Sequence, residues 1–348
     1  MLSLDAAKLK ELQIPVDIAW LLGSCMEARG KQHAWLTTKP HVLELLREQA
    51  IIQSVESSNR LEGVTVPTRR LRELLIGQDR PRNRSEEEIV GYEKALKWIF
   101  TRKRSIHLKP STIQNIHAMA MGKGARDAGK WRHRNSEVIE ILPSGERRVR
   151  FDRTPTERIP ILMSQLCENY FSISYPDRIP ALLIIAGFIF DLLRIHPFCD
   201  GNSQVLLLTN TLLLKCKGYE VARYISMERL VEERRDEFFE VLAKCSQQRH
   251  HVEDVIYTWW RFYLSLLLQA YEAFETAVNA GDAHMPKSDM IRQEILDHPD
   301  EFTLADMSTR LPSVSSQLIK KVLSDLKRES RVKLSGRGRS ARWRVVRR

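Results

Sequence analysis

The sequence predicts a mainly α-helical protein: a large helical body interrupted by one β-hairpin and followed by a small basic module. Three observations predict it. Apolar residues recur at a spacing of three and four through most of the chain. The one clear exception is Glu137–Leu142 and Arg147–Phe151, which read as two short strands around Pro143-Ser-Gly145, with further short strand-like runs only near the C-terminus. Residues 287–348 hold 15 Lys/Arg against 8 Asp/Glu, so +7 of the total net charge of +11 sits in the last fifth of the chain.

The 348 residues are 43% hydrophobic and 28% charged, enough apolar material for a buried core and too much for a disordered chain. Gly 15 and Pro 14 exclude a collagen-like or low-complexity sequence. The positive balance favours an anionic partner. Cys25, Cys167, Cys199, Cys216 and Cys245 form an odd, scattered set without a CxxC pair. That argues for a reducing compartment and against a disulfide framework or a zinc cluster. Asp5, Lys8, Lys10 and Glu11 break up the apolar residues a secretory leader needs, and the most apolar run, Ala181–Phe190, ends at Asp191. The expectation is a soluble, cytoplasmic protein with no membrane partner.

Taken in order, His41–Ser57 carries Val42, Leu45, Leu46, Ile51, Ile52 and Val55 at helical spacing. Ser85 before three glutamates reads as an N-cap with an acidic first turn, opening a helix through Ile99. Ser111 is the expected cap of another, past Ile113, Ile116 and Met119 to Gly122. The 137–151 hairpin has little sheet to join and reads as an exposed flap. Ala181–Ile195 and Val205–Leu214 are apolar almost all round and should be central helices. Trp259-Trp260 with Phe262 and Tyr263 reads as helix packing, and adjacent His250 and His251 face different sides of a helix, unsuited to a shared metal. Asn279–Pro286 is small, polar and ends in proline, which suits a linker.

Between the two central helices stands His196-Pro-Phe-Cys-Asp-Gly-Asn-Ser-Gln204. Pro197 ends the first helix, and Asp200-Gly-Asn-Ser reopens the second with residues that favour an N-cap. A helix N-terminus after such a turn offers free N–H groups and a positive dipole end to phosphate. His196 is a candidate base near neutral pH, Asp200 a candidate ligand for a divalent metal, and Phe198 a plug that pins the loop. Base, carboxylate and anion pocket within nine residues fit phosphoryl or nucleotidyl transfer, while an ordinary interhelical turn remains the plainer alternative. A Cys199–His196 nucleophilic pair has nothing to orient it.

HPFxDGN between two apolar helices closely resembles the signature of Fic (Fido) domains, HPFx(D/E)GNGRxxR. Ser58, Glu62 and Gly63 resemble that family's inhibitory-helix motif, (S/T)xxxE(G/N), within residues 58–63. The hairpin after Gly129-Lys-Trp-Arg132 lies where Fic proteins carry the flap that docks a target chain. The resemblance covers roughly 35–275, in the order of Fic proteins whose inhibitory helix precedes the core. It implies a Fic helical core with a β flap and transfer of AMP from ATP to a protein Ser, Thr or Tyr hydroxyl. By that resemblance His196 deprotonates the hydroxyl and Asp200 binds Mg2+ on the phosphates. Gly201, Asn202, Ser203 and Gln204 line the anion nest, and Val138, Ile139, Glu140 and Ile141 align the target. A hydroxyl needs a base and a triphosphate needs charge neutralisation, so the division of labour is chemically sound.

This sequence departs from the family pattern at three positions: the second glycine is Ser203, and the two arginines are Gln204 and Leu207. Each missing charge-assisted bond is worth roughly 1.5–3 kcal/mol. Two would weaken polyphosphate binding by about 10² to 10⁴-fold. The arginine that pairs with the family's inhibitory glutamate is Leu207 here, so Glu62 needs another partner or none. Three readings follow: a Fic-type transferase, a transferase for a donor with fewer phosphate contacts, or a weakened scaffold acting as a DNA-binding regulator.

In the tail, Met290–Leu296, Thr303–Leu311 and a helix from Ser315, striped by Leu318, Ile319, Val322, Leu323 and Leu326, precede strands at Val332–Leu334 and Trp343–Val346. This looks like a winged helix-turn-helix over 287–348. It implies duplex DNA contacted by Ser315, Ser316, Gln317 and Lys320 of the third helix and by Arg337, Arg339 and Arg342 of the wing. A protein-docking winged helix is the competing reading. The expected organisation is 1–100 helical with the inhibitory-like motif, 101–280 Fic core with flap 131–151 and motif 196–204, and 287–348 winged helix. The expected partners are ATP or another nucleotide donor with Mg2+, a hydroxyl-bearing protein and duplex DNA, with homodimerisation left open.

Overall fold

Two helices whose apolar residues circle the whole axis can only be satisfied in the interior, and they organise everything around them. The computed structural model describes the chain apart from residues 1–2, 4, 6–8, 10, 64–65, 76, 78, 102–107, 123, 135–137, 142–146, 152–153, 174–178, 247–251, 285–286, 297, 299–300, 312–313, 337–340 and 347–348. It divides into two compact units, residues 1–275 and 276–348.

The first unit contains α1 (Val16–Thr38), α2 (Pro40–Leu61), α3 (Thr68–Leu75), α4 (Arg84–Thr101) and α5 (Pro110–Met121), then β1 (Val138–Ile141) and β2 (Arg147–Phe151). These are followed by α6 (Ile159–Ile173), α7 (Ala181–Ile195), α8 (Asn202–Cys216), α9 (Met227–Glu233), α10 (Arg235–Ser246) and α11 (Val252–His284), the last entering the second unit. Among the described residues, no helix is long and apolar enough to cross a membrane.

Helices α7 and α8 are buried along nearly their whole length, as their composition requires. Helix α5 packs on α8, and α4 crosses α5 so closely that a side chain at Gly91 would strike the carbonyls of Met119 and Ala120. Trp259 and Trp260 are buried in α11, and the Trp259 indole donates to the Ala186 carbonyl of α7 at 2.7 Å. Tyr263 donates to Asn210 of α8 at 2.6 Å, satisfying a buried polar pair in the core. The aromatic run is therefore packing, and His250 and His251 lie outside the described residues.

Boundaries differ from expectation for local reasons. Helix α2 begins at Pro40, a good first helical residue because it lacks the N–H that would go unused there, and runs on through the Ser57-Ser-Asn-Arg-Leu61 stretch. Asn83, not Ser85, caps α4, its Oδ1 accepting the Glu86 N–H at 2.9 Å. Pro110 starts α5 ahead of Ser111. The 137–151 hairpin forms its own antiparallel two-stranded sheet, with Ile139 opposite Val149 and Glu140 opposite Arg148. Within the segment expected to link the two parts, helix α11 continues through Ala280-Gly-Asp to His284.

The second unit contains α12 (Lys287–Leu296), β3 (Phe302–Thr303), α13 (Leu304–Arg310), α14 (Ser316–Arg328), β4 (Val332–Ser335) and β5 (Arg342–Val345). Thr303 and Asp306 form a reciprocal capping box on α13, and Ser315 caps α14. The Ile319, Val322, Leu323 and Leu326 stripe closes on Ile291, Ile295, Phe302 and Met307. The sheet order is β3-β5-β4. Strand β3 was not expected, because two residues are too few to show an alternation.

Candidate active site

The turn between α7 and α8 is built by two left-handed residues. His196 closes α7 with φ 50° and ψ 62°, its N–H on the Leu192 carbonyl, and Gly201 opens α8 with φ 69°. Glycine is required at 201 on two counts, since it tolerates that φ and a Cβ there would collide with the Met121 sulfur. Asn202 spans the turn: its Oδ1 accepts the Phe198 N–H at 3.0 Å and its Nδ2 donates to the Phe198 carbonyl at 2.8 Å. The Asn202 side chain therefore shapes the loop and does not point at an anion.

Two side chains that the motif reading missed hold the loop from behind. The ring of His117 stacks on Phe198 with centroids 3.8 Å apart, and Trp131 lies 5.1 Å from the same phenyl ring. His117 Nδ1 accepts the Gly129 N–H at 2.8 Å, so the ring proton sits on Nε2, which donates to the Asp200 carbonyl at 3.1 Å. Burial pushes the His117 pKa down to about 4, which keeps this neutral tautomer at neutral pH. Arg132, 3% exposed, donates through its N–H to the Pro197 carbonyl at 2.8 Å and through Nε to the His196 carbonyl at 2.8 Å. Its remaining nitrogens reach the carbonyls of Arg134 and Thr154, tying the hairpin base to the motif loop. A histidine on the buried stripe of Ile113, Ile116 and Ala120 was the one sequence signal for His117.

The front of the loop is charged and open. Asp200 is exposed and accepts from Arg84 at 2.9 Å, while Arg84 also holds Glu88 at 2.8 Å. Arg84, His117, Arg126, Asp127, Cys199 and Asp200 line a cavity of about 380 Å³, within the range of small-ligand pockets. The Asp200 carboxylate at such a mouth fits Mg2+, which keeps most of its water and shares phosphate oxygens. A larger cavity of about 580 Å³ lies between α4 and α5, lined by Val90, Lys94, Trp98 and Met119, and holds none of the motif residues.

Glu62 reaches the first turn of α8. There the Ser203 N–H and hydroxyl act on its carboxylate and lower its pKa. Desolvation raises its pKa and the two Ser203 bonds pull it back, with Glu88 and Asp200 adding repulsion. Much of the Glu62 surface nevertheless meets solvent, so the desolvation is that of a crowded cleft rather than of a closed core. Leu207 is buried among apolar neighbours, and Gln204 is 1% exposed with no hydrogen-bond partner on its Oε1 among the described residues. Gly63 follows Glu62 with φ 80°, turning the chain away from the helix.

The end of α2 is firmly seated. Ser58 is buried and donates to the Val55 carbonyl at 3.0 Å, and Arg60 grips Glu232 at 2.6 and 2.8 Å. Beside it the Tyr92 hydroxyl donates to Glu228 at 2.7 Å. The structure thus brings Glu62, Asp200, Gly201, Asn202 and Ser203 together around one helix N-terminus, with His196 at the preceding helix end. Val138–Ile141 form β1, but their side chains lie outside the described residues. In the second unit Ser315, Ser316, Gln317 and Lys320 are exposed at the start of α14, and Arg342 lies in β5 opposite Ser335. Arg337 and Arg339 lie outside the described residues.

Residues 107–214, from the start of α5 almost to the end of α8, match the Fic/DOC family model. Solved structures with this fold include a Fic family protein from Desulfovibrio desulfuricans G20, 19% identical, covering 96% of this chain and 97% of that chain with a TM-score of 0.63. A Fic domain containing signaling protein from Bacteroides thetaiotaomicron VPI-5482 is 18% identical over 76% of this chain and 97% of its own, with a TM-score of 0.56. Fic-1 from C. elegans is 16% identical over 77% of this chain and 74% of the solved chain, with a TM-score of 0.57. No curated protein matches the chain.

Proposed function

We propose that this Fic/DOC family domain transfers the nucleotidyl group of ATP to a protein hydroxyl and is held in check by Glu62. The observation that carries the reading is the Glu62 carboxylate beside Ser203, the second residue of α8, whose N–H and hydroxyl lower its pKa. An anion already sits at the N-terminus of α8, so the seat survives the replacement of both motif arginines. In the transfer, the target oxygen attacks the α-phosphorus, its proton passes to His196, and the bond to pyrophosphate breaks. The free N–H groups of the first turn of α8 hold the phosphate oxygens, once Glu62 leaves Ser203. Asp200 would hold Mg2+, which supplies charge neutralisation to the polyphosphate when bound. Arg84 and Arg126, both lining the cavity, supply cationic charge in place of the missing arginines. Among the described residues the β1–β2 sheet has two strands, so a target segment can add along an edge. A cytoplasmic setting agrees with five free cysteines.

The test is incubation of the full chain with ATP labelled at the α or the γ phosphate, with Mg2+. Glu62→Gly should retain the α label on protein, the unaltered chain less, and the Glu62→Gly, His196→Ala pair none. Retention of the γ label instead would make the reaction phosphoryl transfer. A folded Glu62→Gly chain that binds no ATP by calorimetry rejects the nucleotide reading.

A second reading rests on residues 287–348. Their net charge of +7, the polar exposed start of α14 and the β3-β5-β4 sheet support a winged helix that binds duplex DNA. Affinity should then fall with salt at a log–log slope of roughly −4 to −5, about −0.9 per phosphate contact. Arg337→Ala with Arg339→Ala should flatten it by up to about two units. A folded chain with no duplex binding at low salt leaves a protein-docking module.

A further inference from the structure

Cysteine spacing alone excludes a zinc cluster, but the fold assembles a mixed set of ligands that no spacing rule would find. The Asp127 carboxylate, a His133 ring nitrogen and the Cys199 sulfur all lie within 4.8 Å of one another. They come from two segments far apart in sequence, the stretch after α5 and the motif loop. We propose that Asp127, His133 and Cys199 form a transition-metal site, best suited to Zn2+, beside the candidate active site.

Four arguments support it. The donor set of one oxygen, one nitrogen and one sulfur matches borderline ions such as Zn2+ and is wrong for Mg2+, which takes oxygen. The site is therefore chemically distinct from the carboxylate of Asp200. Once the thiol has given up its proton, one thiolate and one carboxylate balance the two charges of the ion. No hydrogen bond or ion pair from another described residue occupies the three ligand atoms, unlike the neighbouring Asp200, which Arg84 holds.

Positioning is the fourth argument. Ligand atoms in a tetrahedral zinc site stand about 3.4–3.7 Å apart, from arms of about 2.0–2.3 Å, so closing this triad takes roughly an ångström of side-chain adjustment. The backbone needs no rearrangement, because the segments are already tied together. Arg132, next to His133, bonds the carbonyls of Pro197 and His196. Gly129, two residues after Asp127, donates to His117, which donates to Asp200, the neighbour of Cys199. Arg132 brings a positive charge close by, but its guanidinium is committed to the carbonyls of His196, Arg134 and Thr154. Three protein ligands leave a fourth position, and Asp127 and Cys199 both line the 380 Å³ cavity, so that position opens toward it for water or a ligand group. Occupancy would fasten the segment before the hairpin to the motif loop by bonds much stronger than the present contacts.

The experiment uses the full chain, stripped with chelator and titrated with Co2+ as the probe. One equivalent should produce an intense thiolate-to-cobalt absorption in the near ultraviolet, abolished by Zn2+, which binds more tightly. Cys199→Ser should lose that band, and His133→Ala should weaken Co2+ binding by at least about 10-fold, the lower end of what removing even an outer partner costs. Cys216→Ser, a control at the only other cysteine that is not buried, and Asp200→Asn should leave the band in place. Absence of a thiolate band in the unaltered chain, its survival in Cys199→Ser, or its loss in Asp200→Asn would overturn the site.

Discussion

The motif loop has a back and a front that are held by different chemistry. Behind it, His117, Phe198, Trp131 and Arg132 are stacked and bonded to backbone carbonyls and amides, with His117, Phe198 and Arg132 buried. In front, Asp200 with Arg84, and Glu62 with Ser203, are charged groups whose partners a polyphosphate or a divalent ion could replace. Buried bonds are costly to break, and exposed ion pairs exchange readily. A loop that must keep its shape while its ligands come and go needs both.

The back should break first and most expensively. Arg132→Ala removes a buried guanidinium that satisfies the carbonyls of His196, Arg134 and Thr154. Bonds to a charged group contribute about 1.5–3 kcal/mol each, and orphaned buried carbonyls add to the loss. A destabilisation of about 3 kcal/mol or more is expected, read as a lowered midpoint in urea with an unchanged slope. A midpoint close to that of the unaltered chain would show that the loop is held by packing alone.

Acid should separate the two sides by sign. The folded His117 pKa is depressed from 6.5 to about 4, so its contribution is present above pH 6.5 and lost as pH falls through about 4. The loss amounts to as much as about 3 kcal/mol. Glu62 runs the other way: its folded pKa is raised, so its effect favours the folded state at low pH and fades as pH rises through the raised value. His117→Gln should therefore flatten the acid limb of a stability profile, while Glu62→Gln should steepen it just above the ordinary carboxylate range, because it removes a group that adds stability as pH falls. If both variants change the same limb in the same direction, the division between back and front is wrong.

The same contrast explains what the sequence disclosed. Helices α7 and α8 and the motif between them were legible because their signals are local: apolar residues all round, a proline, then Asp-Gly-Asn-Ser. The hairpin was legible from two short strand-like runs around Pro143-Ser-Gly145. The back of the site was not, because His117 meets Asp200 and Arg132 meets His196 across the fold, and each alone reads as an ordinary residue in its segment. Glu62 was singled out by its motif, but with Leu207 at the family's partner position the sequence named no partner for it, and only the fold sets it beside Ser203. In the expected linker, glycine and small polar residues permit a break in the helix without forcing one, and α11 carries on through Gly281 to His284.

The smallest effect on stability belongs to the front, and there a functional gain is expected. The Arg84 and Asp200 side chains are 56% and 64% exposed, so their ion pair is screened by water and contributes no more than about 0.5 kcal/mol. Arg84→Ala should accordingly leave thermal stability almost unchanged. Removing the guanidinium also removes the cation that competes with a divalent ion for the Asp200 carboxylate, so Mn2+ used as a paramagnetic probe should bind a few-fold more tightly. With nucleotide present the sign should reverse, because Arg84 then stands beside phosphate and its loss weakens a charge-assisted contact by roughly 10-fold. Tighter Mn2+ alone with weaker Mn2+–ATP would show one side chain serving as a placeholder in the empty site and as a phosphate ligand in the filled one. Equal changes in both titrations would reduce Arg84 to a surface charge, and the cation that offsets Gln204 and Leu207 would have to be Arg126.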